Sequence, residues 1–205
     1  MSIVMTTALP APHSPLRLSE GDFVRAASLL SCEIACVKAV TEVESQGSGF
    51  LESGRPKILF EAHRFSALTR HQYDDPHPNI SSRVWNRKLY RGGESEYDRL
   101  GEAMALDRTA ALSSASWGMF QIMGSNYLAC GFPSVDDFVA AMFQGEGQHL
   151  DAFVASIRGK RLDVALRARD WAAFAKGYNG AGYAENNYDG RLSVAYQRFT
   201  TGVAA

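Results

Sequence analysis

The sequence of 205 residues is poor in cysteine, in long apolar runs and in net charge, and each shortage excludes a class of protein. Its three cysteines are an odd number, which argues against a complete disulfide framework and fits synthesis in a reducing compartment. Cys32 and Cys36 are four residues apart without a surrounding cluster of histidine or cysteine, so we expect core residues rather than a metal site. The sequence has no phosphate-binding loop either, and no metal or cofactor is expected.

The 21 basic and 22 acidic residues nearly cancel, so no strong overall field draws the chain to nucleic acid or to an anionic membrane. The densest basic segment contains Arg83, Arg87, Lys88 and Arg91. A segment of this kind is most often a solvated surface, and contact with an anionic polymer is the alternative.

The sequence also has little that would carry it across a membrane. No apolar stretch is long enough to span a bilayer, and residues 1–16 lack the basic start and apolar centre of a secretory signal peptide. We therefore expect the protein to accumulate in the cytoplasm, so that any action outside requires another protein. Residues 1–17 contain three prolines and are predicted to be a flexible N-terminal arm before a folded domain of residues 18–205.

Helical patterns dominate the predicted domain. Ser19 precedes Asp22 by three residues, a capping pattern that predicts a helix start, and Ser31 is predicted to begin the next helix. Residues 57–61 are predicted to be a strand or extended segment, and residues 71–82 a loop. The predicted helices are 19–30, 32–45, 94–112, 116–130, 135–157, 162–178 and 188–199. The expected fold class is α+β, predominantly helical, with a small β-region.

The helix predicted at 32–45 carries two glutamates in opposite environments. Val37 and Val40 lie on its apolar face, and Glu44 shares that face because it follows Val40 by four residues. Glu42 is two residues from Val40, about 200° around the helix, and is expected to face solvent. Partial desolvation of Glu44 raises its expected pKa, and the negative partial charge at the helix C-terminus acts in the same direction.

A carboxyl that keeps its proton near neutral pH is suited to one kind of chemistry. It can protonate the leaving oxygen of a glycosidic bond, which makes Glu44 a candidate general acid. The structural alternative is a glutamate that only pairs with a basic residue across a helix interface. Gly47 and Gly49 follow the helix, where they permit a tight turn and leave room for a ligand.

Three short motifs, in the same order along the chain, resemble those of soluble lytic transglycosylases and goose-type lysozymes. Glu44-Ser45 at the end of a helix resembles the first motif. The segment GMFQIM at 118–123 is similar to the second, and AKGYNG at 175–180, centred on Tyr-Asn, is similar to the third.

The chain resembles the phage and prophage N-acetylmuramidase family more closely, over about residues 20–200. The segments that carry this resemblance are VESQG at 43–47, FEAHRF at 60–65, ASWG at 115–118, QIMG at 121–124 and YNG at 178–180. The resemblance implies a lysozyme-like fold. It also implies an endolysin that hydrolyses the β-1,4 bond between N-acetylmuramic acid and N-acetylglucosamine in peptidoglycan.

Hydrolysis of a glycosidic bond usually needs a second carboxylate opposite the acid. The resemblance puts Glu61 in a family motif and so favours it as the base or electrostatic stabiliser. Asp74 and Asp75, in a polar loop, are the other candidates. His63 is expected on the same strand face as Glu61, where it either orients that carboxylate, contacts substrate or is purely structural.

Four further residues are predicted to position the glycan: Ser116, Gln121, Tyr178 and Asn179. The amide of Gln121 offers both a donor and an acceptor, which sugar hydroxyl and acetamido groups require. The phenol of Tyr178 is within possible reach of the acid or the substrate. Trp117 either walls the cleft or belongs to the core.

Two other functions stay open at this point. A lytic transglycosylase would cleave the same bond and form a 1,6-anhydro product without a water-activating carboxylate. A non-catalytic wall-binding module would bind the glycan only. For the muramidase, the expected partner is a peptidoglycan glycan strand, with no nucleic acid and no stable membrane insertion. We expect a monomer that stays in the host cytoplasm until a holin-type phage protein opens the membrane at lysis.

Overall fold

The described part of the chain forms ten α-helices and one small sheet. The computed structural model describes residues 8–45 and 47–201. The helices are α1 (Glu20–Leu30), α2 (Ile34–Glu44), α3 (Ala62–Leu68), α4 (Ser95–Leu106), α5 (Arg108–Ser114), α6 (Val135–Gln144), α7 (Glu146–Gly159), α8 (Asp163–Ala168), α9 (Trp171–Asn179) and α10 (Tyr188–Thr201). The strands are β1 (Ile58–Phe60), β2 (Ala115–Trp117) and β3 (Ile122–Met123), and short 3₁₀ turns lie at Arg87–Leu89, Gly124–Asn126 and Ala181–Asn186. The predicted α+β class with a helical majority is confirmed.

Helix α1 begins as its capping pattern predicts. The Ser19 hydroxyl accepts from the Asp22 N–H at 3.3 Å, and the Asp22 carboxylate accepts from the Ser19 N–H at 2.9 Å. The role predicted for Ser31 is wrong. Ser31 ends α1 in the left-handed conformation, with its N–H bonded back to the last turn, and the N-cap of α2 is Glu33.

The helix predicted at 116–130 is wrong, because a β-hairpin takes its place. Strand β2 pairs antiparallel with both β1 and β3, so that Ser116 lies opposite Leu59 and Met123. At the turn, Gly118 has a φ of 71°, and a Cβ there would lie 2.8 Å from His149 Nδ1. Residues 111–120 are all buried, which removes the contrast between faces that distinguishes a helix from a strand in sequence.

Three other predicted helices are each divided in two. The Asp107 side chain caps α5 by accepting from the Ala110 N–H at 2.9 Å, and Gly145 separates α6 from α7. The Asp170 side chain caps α9 by accepting from the Ala173 N–H at 2.9 Å. Such caps bond the free N–H groups at the start of a new helix. The chain can therefore change direction at these residues, although the apolar pattern of the sequence continues through them.

The core joins the sheet to α2 and its neighbours. Phe60, Phe65 and Trp117 are fully buried, and the Trp117 indole donates to the Leu112 carbonyl at 3.1 Å. Helix α10 packs along both α2 and α9, and α1 packs on α2. The C-terminal end of α2 therefore lies among elements that are far apart in sequence.

Residues 8–17 form no helix or named strand, but they contact the domain. Leu16 forms a β-bridge with Gly145, and Arg17 forms an ion pair of 2.9 Å with Glu146. Residues 1–7 of the predicted arm lie outside the described residues. The division at residue 17 stays a prediction.

The three thiols are unpaired, with Cys36 and Cys130 buried and Cys32 partly buried. Burial raises the pKa of the Cys130 thiol to about 11. Across the ranges described above, no helix is both long enough and apolar enough to cross a membrane. In the same ranges no cluster of three metal-ligating side chains occurs.

A fully buried ion pair supports the strand that leads to the candidate site. Arg99 Nη1 lies 2.8 Å from Glu96 Oε2 and also donates to the Phe60 carbonyl at 2.9 Å. Glu96 accepts in addition from the backbone N–H groups of Phe60, Arg91 and Gly92. Burial opposes ionisation of Glu96, but these donors and Arg99 hold its pKa below the usual value.

We expect Arg99→Met to lower the free energy of unfolding by about 3 kcal/mol, because it leaves the buried Glu96 charge without its counter-ion. The matched control is Glu94→Gln, which removes the exposed Glu94–Arg55 pair of 3.9 Å and is expected to cost less than about 1 kcal/mol. Urea unfolding followed by circular dichroism measures both. Equal losses in the two variants would contradict the importance of the buried pair.

Candidate active site

The two glutamates of α2 lie in the opposite environments that their spacing predicts. Val37 and Val40 are buried, and Glu44 at the end of the same face is partly buried. Glu42 is exposed and forms an ion pair with Arg198. Two residues of one helix thus carry a solvated carboxylate and a partly buried carboxyl on opposite faces.

Side chains from α9 and α10 surround the end of α2. Asn179 Nδ2 donates to Glu44 Oε1 at 3.0 Å, and Arg191 Nη2 donates to the Val43 carbonyl at 3.5 Å. Burial raises the pKa of the Glu44 carboxyl above its usual value, although the Asn179 hydrogen bond and the Arg191 charge lower it in part. Glu44 therefore keeps its proton to a higher pH than an exposed glutamate does.

Tyr178 lies beside Glu44 on the buried side of α9. Its ring stacks on Phe174, with 6.1 Å between centroids, and meets Phe153 edge-on at 5.3 Å. Burial raises the pKa of the Tyr178 phenol well above its usual range, and the negative charge of Glu44 raises it further. The phenol consequently stays neutral near neutral pH and remains available as a hydrogen-bond donor.

Ser116 and Gln121 meet inside the hairpin. Ser116 Oγ donates to Gln121 Oε1 at 2.8 Å, and Gln121 Nε2 donates to the carbonyls of Gly118 at 2.8 Å and Lys57 at 3.3 Å. Gln121 itself has a left-handed φ of 48°. These bonds hold the hairpin turn in shape, and direct contact of the two side chains with a glycan stays a prediction.

Helix α7 fixes the loop that follows Glu44, a contribution that the sequence reasoning missed. The buried Glu146 carboxylate accepts from the Gly49 N–H at 3.0 Å, and burial is outweighed by its donors, so its pKa lies below the usual value. His149 Nδ1 accepts from the Met119 N–H at 3.1 Å while Nε2 donates to the Met142 carbonyl at 2.8 Å. The one feature of the sequence that could have indicated Glu146 and His149 is that both are polar residues on the apolar side of a helix.

The same histidine explains why glycine follows the helix of Glu44. A Cβ at Gly49 would lie 2.4 Å from His149 Nδ1, closer than any real contact. The Gly49 carbonyl accepts from the Lys57 N–H at 2.8 Å, and the Lys57 carbonyl accepts from the Gly118 N–H at 2.8 Å. The loop after Glu44, the start of β1 and the hairpin are therefore one hydrogen-bonded unit.

Glu61 follows β1 directly and has its own set of partners. Its backbone N–H donates to the Ser114 carbonyl at 3.0 Å, which fixes the chain at the end of the strand. Its Oε2 accepts from the Tyr90 hydroxyl at 2.6 Å and lies 3.3 Å from His63 Nδ1. Burial raises the pKa of Tyr90 to about 12, together with the hydrogen bond and charge of Glu61, so the phenol stays a donor.

The predicted strand position of His63 is wrong, although its contact with Glu61 exists. His63 lies in the first turn of α3, and Glu61 is the N-cap residue of that helix. Tyr90, the second partner of Glu61, comes from a loop 29 residues further along the chain. Sequence reasoning missed Tyr90 because nothing in its local pattern marks it.

The two aspartates offered as alternatives to Glu61 serve a different region. Asp74 accepts from Ser81 Oγ at 2.6 Å and pairs with Arg83 at 3.3 Å. Asp75 is exposed. Among the candidate residues, the structure brings Glu44 together with Asn179, Glu61 with His63, and Ser116 with Gln121.

Comparisons with known proteins agree with this arrangement. The N-acetylmuramidase family model matches residues 33–200. The crystal structure of a Burkholderia AP3 phage endolysin is similar, with a TM-score of 0.86 and 40% sequence identity over 92% of this chain and 74% of that chain. A search of curated proteins finds no match. Since the family match extends from the start of α2 to the last turns of α10, and since it includes Glu44, Glu61 and Asn179, the chain belongs to the N-acetylmuramidase family.

Proposed function

We propose that this N-acetylmuramidase hydrolyses the β-1,4 bond between N-acetylmuramic acid and N-acetylglucosamine of peptidoglycan, with Glu44 as the general acid. The observation that carries the role of Glu44 is its environment. The carboxyl ends α2 on the face of the buried Val37 and Val40, and its hydrogen-bond donor is the neutral amide of Asn179. Burial favours the protonated form that glycosidic cleavage requires, and the Asn179 hydrogen bond offsets this effect only in part.

The proton of Glu44 passes to the glycosidic oxygen as the bond from that oxygen to the sugar carbon breaks. Glu44 then carries a negative charge. The Asn179 amide donates to Oε1 and stabilises that charge, and Arg191 contributes through its own charge. These two groups make loss of the proton easier, while burial prevents its loss before the substrate binds.

Glu61 is proposed as the second carboxylate. Tyr90 and His63 hold Oε2 in one place, so the group is fixed before the substrate arrives. A carboxylate held in this way either takes a proton from the attacking water or stabilises positive charge on the sugar ring. Asp74 is the weaker candidate because the segment at 60–65 that carries the family resemblance includes Glu61, whereas Asp74 lies outside every such segment.

Five residues are proposed to contact the glycan. They are Ser116, Gln121, Tyr178, Asn179 and His63. Asn179 and His63 each touch a candidate catalytic carboxyl directly. A sugar bound beside either carboxyl would therefore meet their remaining donors and acceptors.

Membership of the muramidase family favours hydrolysis over the transglycosylase and the non-catalytic alternatives. The similar protein of Burkholderia phage AP3 is an endolysin, and this similarity supports a phage lysis role for this chain. Cytoplasmic accumulation, the monomeric state and release by a holin-type protein stay predictions from the sequence.

Replacing the acid by its isosteric amide tests the central assignment. We expect Glu44→Gln to lower the clearing rate of a peptidoglycan suspension by at least about 100-fold, because no proton is available for the leaving oxygen. Glu42→Gln is the matched control on the same helix and is expected to keep more than about half of the activity. Circular dichroism confirms that both variants fold. Full activity in Glu44→Gln would remove Glu44 from the mechanism.

The pH dependence follows from the raised pKa of Glu44. Since only the protonated carboxyl acts as the acid, kcat/KM is expected to fall as the pH rises through that pKa, which lies above that of an ordinary glutamate. Asn179 and Arg191 favour the ionised form, so Asn179→Ala and Arg191→Gln should each move this alkaline limb to higher pH. A shift to lower pH in either variant would contradict the proposed electrostatics.

Glu61→Gln separates hydrolysis from ring closure. We expect about a 10- to 1000-fold loss of kcat, because the amide neither accepts a proton from water nor carries stabilising charge. Mass spectrometry of wild-type products should show reducing-end N-acetylmuramic acid. A 1,6-anhydro product together with an active Glu61→Gln variant would instead identify a transglycosylase.

A further inference from the structure

A loop of residues 83–91, here called the Trp85 loop, contacts Glu61 through Tyr90. It carries four basic residues, Arg83, Arg87, Lys88 and Arg91, all exposed. Trp85 is 60% exposed and Val84 is 69% exposed. An exposed tryptophan amid several cations is unusual for a surface that only faces water.

A chain of two hydrogen bonds connects this loop to the proposed second carboxylate. The Trp85 indole N–H donates to the Tyr90 hydroxyl at 2.7 Å, and that hydroxyl donates to Glu61 Oε2 at 2.6 Å. The two rings meet edge to face, at 70° and 6.3 Å between centroids. The Tyr90 hydroxyl oxygen therefore orients both the exposed indole and the Glu61 carboxylate.

The loop is also anchored at its other end. Glu96 Oε1 accepts from the N–H groups of Arg91 and Gly92 at 2.6 and 2.9 Å, and its Oε2 accepts from Phe60 at 3.2 Å. The Asn86 side chain caps the 3₁₀ turn by accepting from the Lys88 N–H at 3.0 Å. A surface ordered in advance loses little conformational entropy when a ligand binds.

Three of the four cations are available to an outside anion. Arg83 pairs with Asp74, but within residues 8–45 and 47–201 no acidic side chain lies in ion-pair distance of Arg87, Lys88 or Arg91. The whole chain has a net charge of −1, so this concentration of positive charge is local. It lies next to Glu61 along the chain of hydrogen bonds through Tyr90.

We propose that the Trp85 loop is a substrate-binding platform that selects glycan strands bearing anionic peptide stems. The indole face stacks on a sugar ring beyond the cleaved bond, and Arg87, Lys88 and Arg91 bind the carboxylates of the stem peptides. This proposal rests on the proposed muramidase function and specifies which form of the glycan the enzyme prefers. Strands whose carboxylates are all amidated would keep the stacking but lose the ion pairs.

Binding to insoluble peptidoglycan, measured by cosedimentation in the Glu44→Gln background, tests the charged half of the platform. The variant Arg87→Gln/Lys88→Gln is expected to raise the Kd about fivefold. The control Arg70→Gln/Arg158→Gln removes the same charge from exposed positions elsewhere and should change the Kd less than about twofold. Amidating the carboxylates of the peptidoglycan should weaken the binding of the parent protein, and should weaken that of the loop variant less, because the variant keeps only Arg91 of the three proposed ligands.

Two results would overturn the charged half. One is a loop variant that binds as tightly as the control variant. The other is a loop variant whose loss of binding affinity is equally large on native and amidated peptidoglycan, because the cations would then not bind the carboxylates.

The stacking half is tested with Trp85→Ala and Trp85→Phe in the same background. Trp85→Ala should raise the Kd about fivefold or more on native and amidated peptidoglycan alike, since stacking does not depend on charge. Trp85→Phe should recover most of the binding, although it too lacks the N–H that reaches Tyr90. An equal defect in both variants, or none in either, would overturn stacking.

These experiments measure binding. The proposed function is tested separately, by comparing how fast the wild type and Glu44→Gln clear a peptidoglycan suspension. The two can therefore fail separately. Loop variants that bind like the control while Glu44→Gln is inactive would leave the muramidase and remove the platform.

Discussion

The rest of the structure depends on the balance between burial and exposure of one carboxyl group at the end of α2. In the proposed role of general acid, the Glu44 carboxyl has to be shielded enough to keep its proton and open enough to meet a sugar oxygen. The buried face of Val37 and Val40 supplies the shielding, and α9 and α10 supply a donor and a charge that keep the ionised form within reach. Complete burial would prevent loss of the proton, and full exposure would lose it to solvent before catalysis.

Three partly or fully buried glutamates show how the fold sets protonation through the number of donors. Glu44 receives one side-chain N–H, and its pKa lies above the usual value. Glu96 receives three backbone N–H groups and Arg99, and Glu146 receives two backbone N–H groups and Arg17; both have lowered pKa values. Burial raises the pKa of all three, so the number of donors decides the direction of the net shift. The two carboxyl groups with lowered pKa values hold the backbone in place, and the one with a raised pKa is the proposed acid.

The helix of Glu44 and its two faces were predictable from sequence, because a 3.6-residue period places Glu44 with Val40 and Glu42 opposite. The hairpin at 115–123 was not, since its first strand and its turn up to residue 120 are buried without a contrast between faces, and the turn depends on His149, far along the chain. The partners of Glu44 were equally out of reach of local patterns. Asn179 lies 135 residues away and became a candidate only through resemblance to known motifs.

Hydrogen bonds around β1 join Glu61, the proposed second carboxylate, to the Trp85 loop. Glu96 accepts from Phe60 at the end of β1 and from Arg91 and Gly92 where the Trp85 loop ends, so one buried carboxylate positions both the strand before Glu61 and the loop that contacts it. Tyr90 bonds both Glu61 and Trp85. In the proposed platform, a sugar that moved the indole would therefore also act on the hydroxyl that holds the Glu61 carboxylate, through groups that these hydrogen bonds already position.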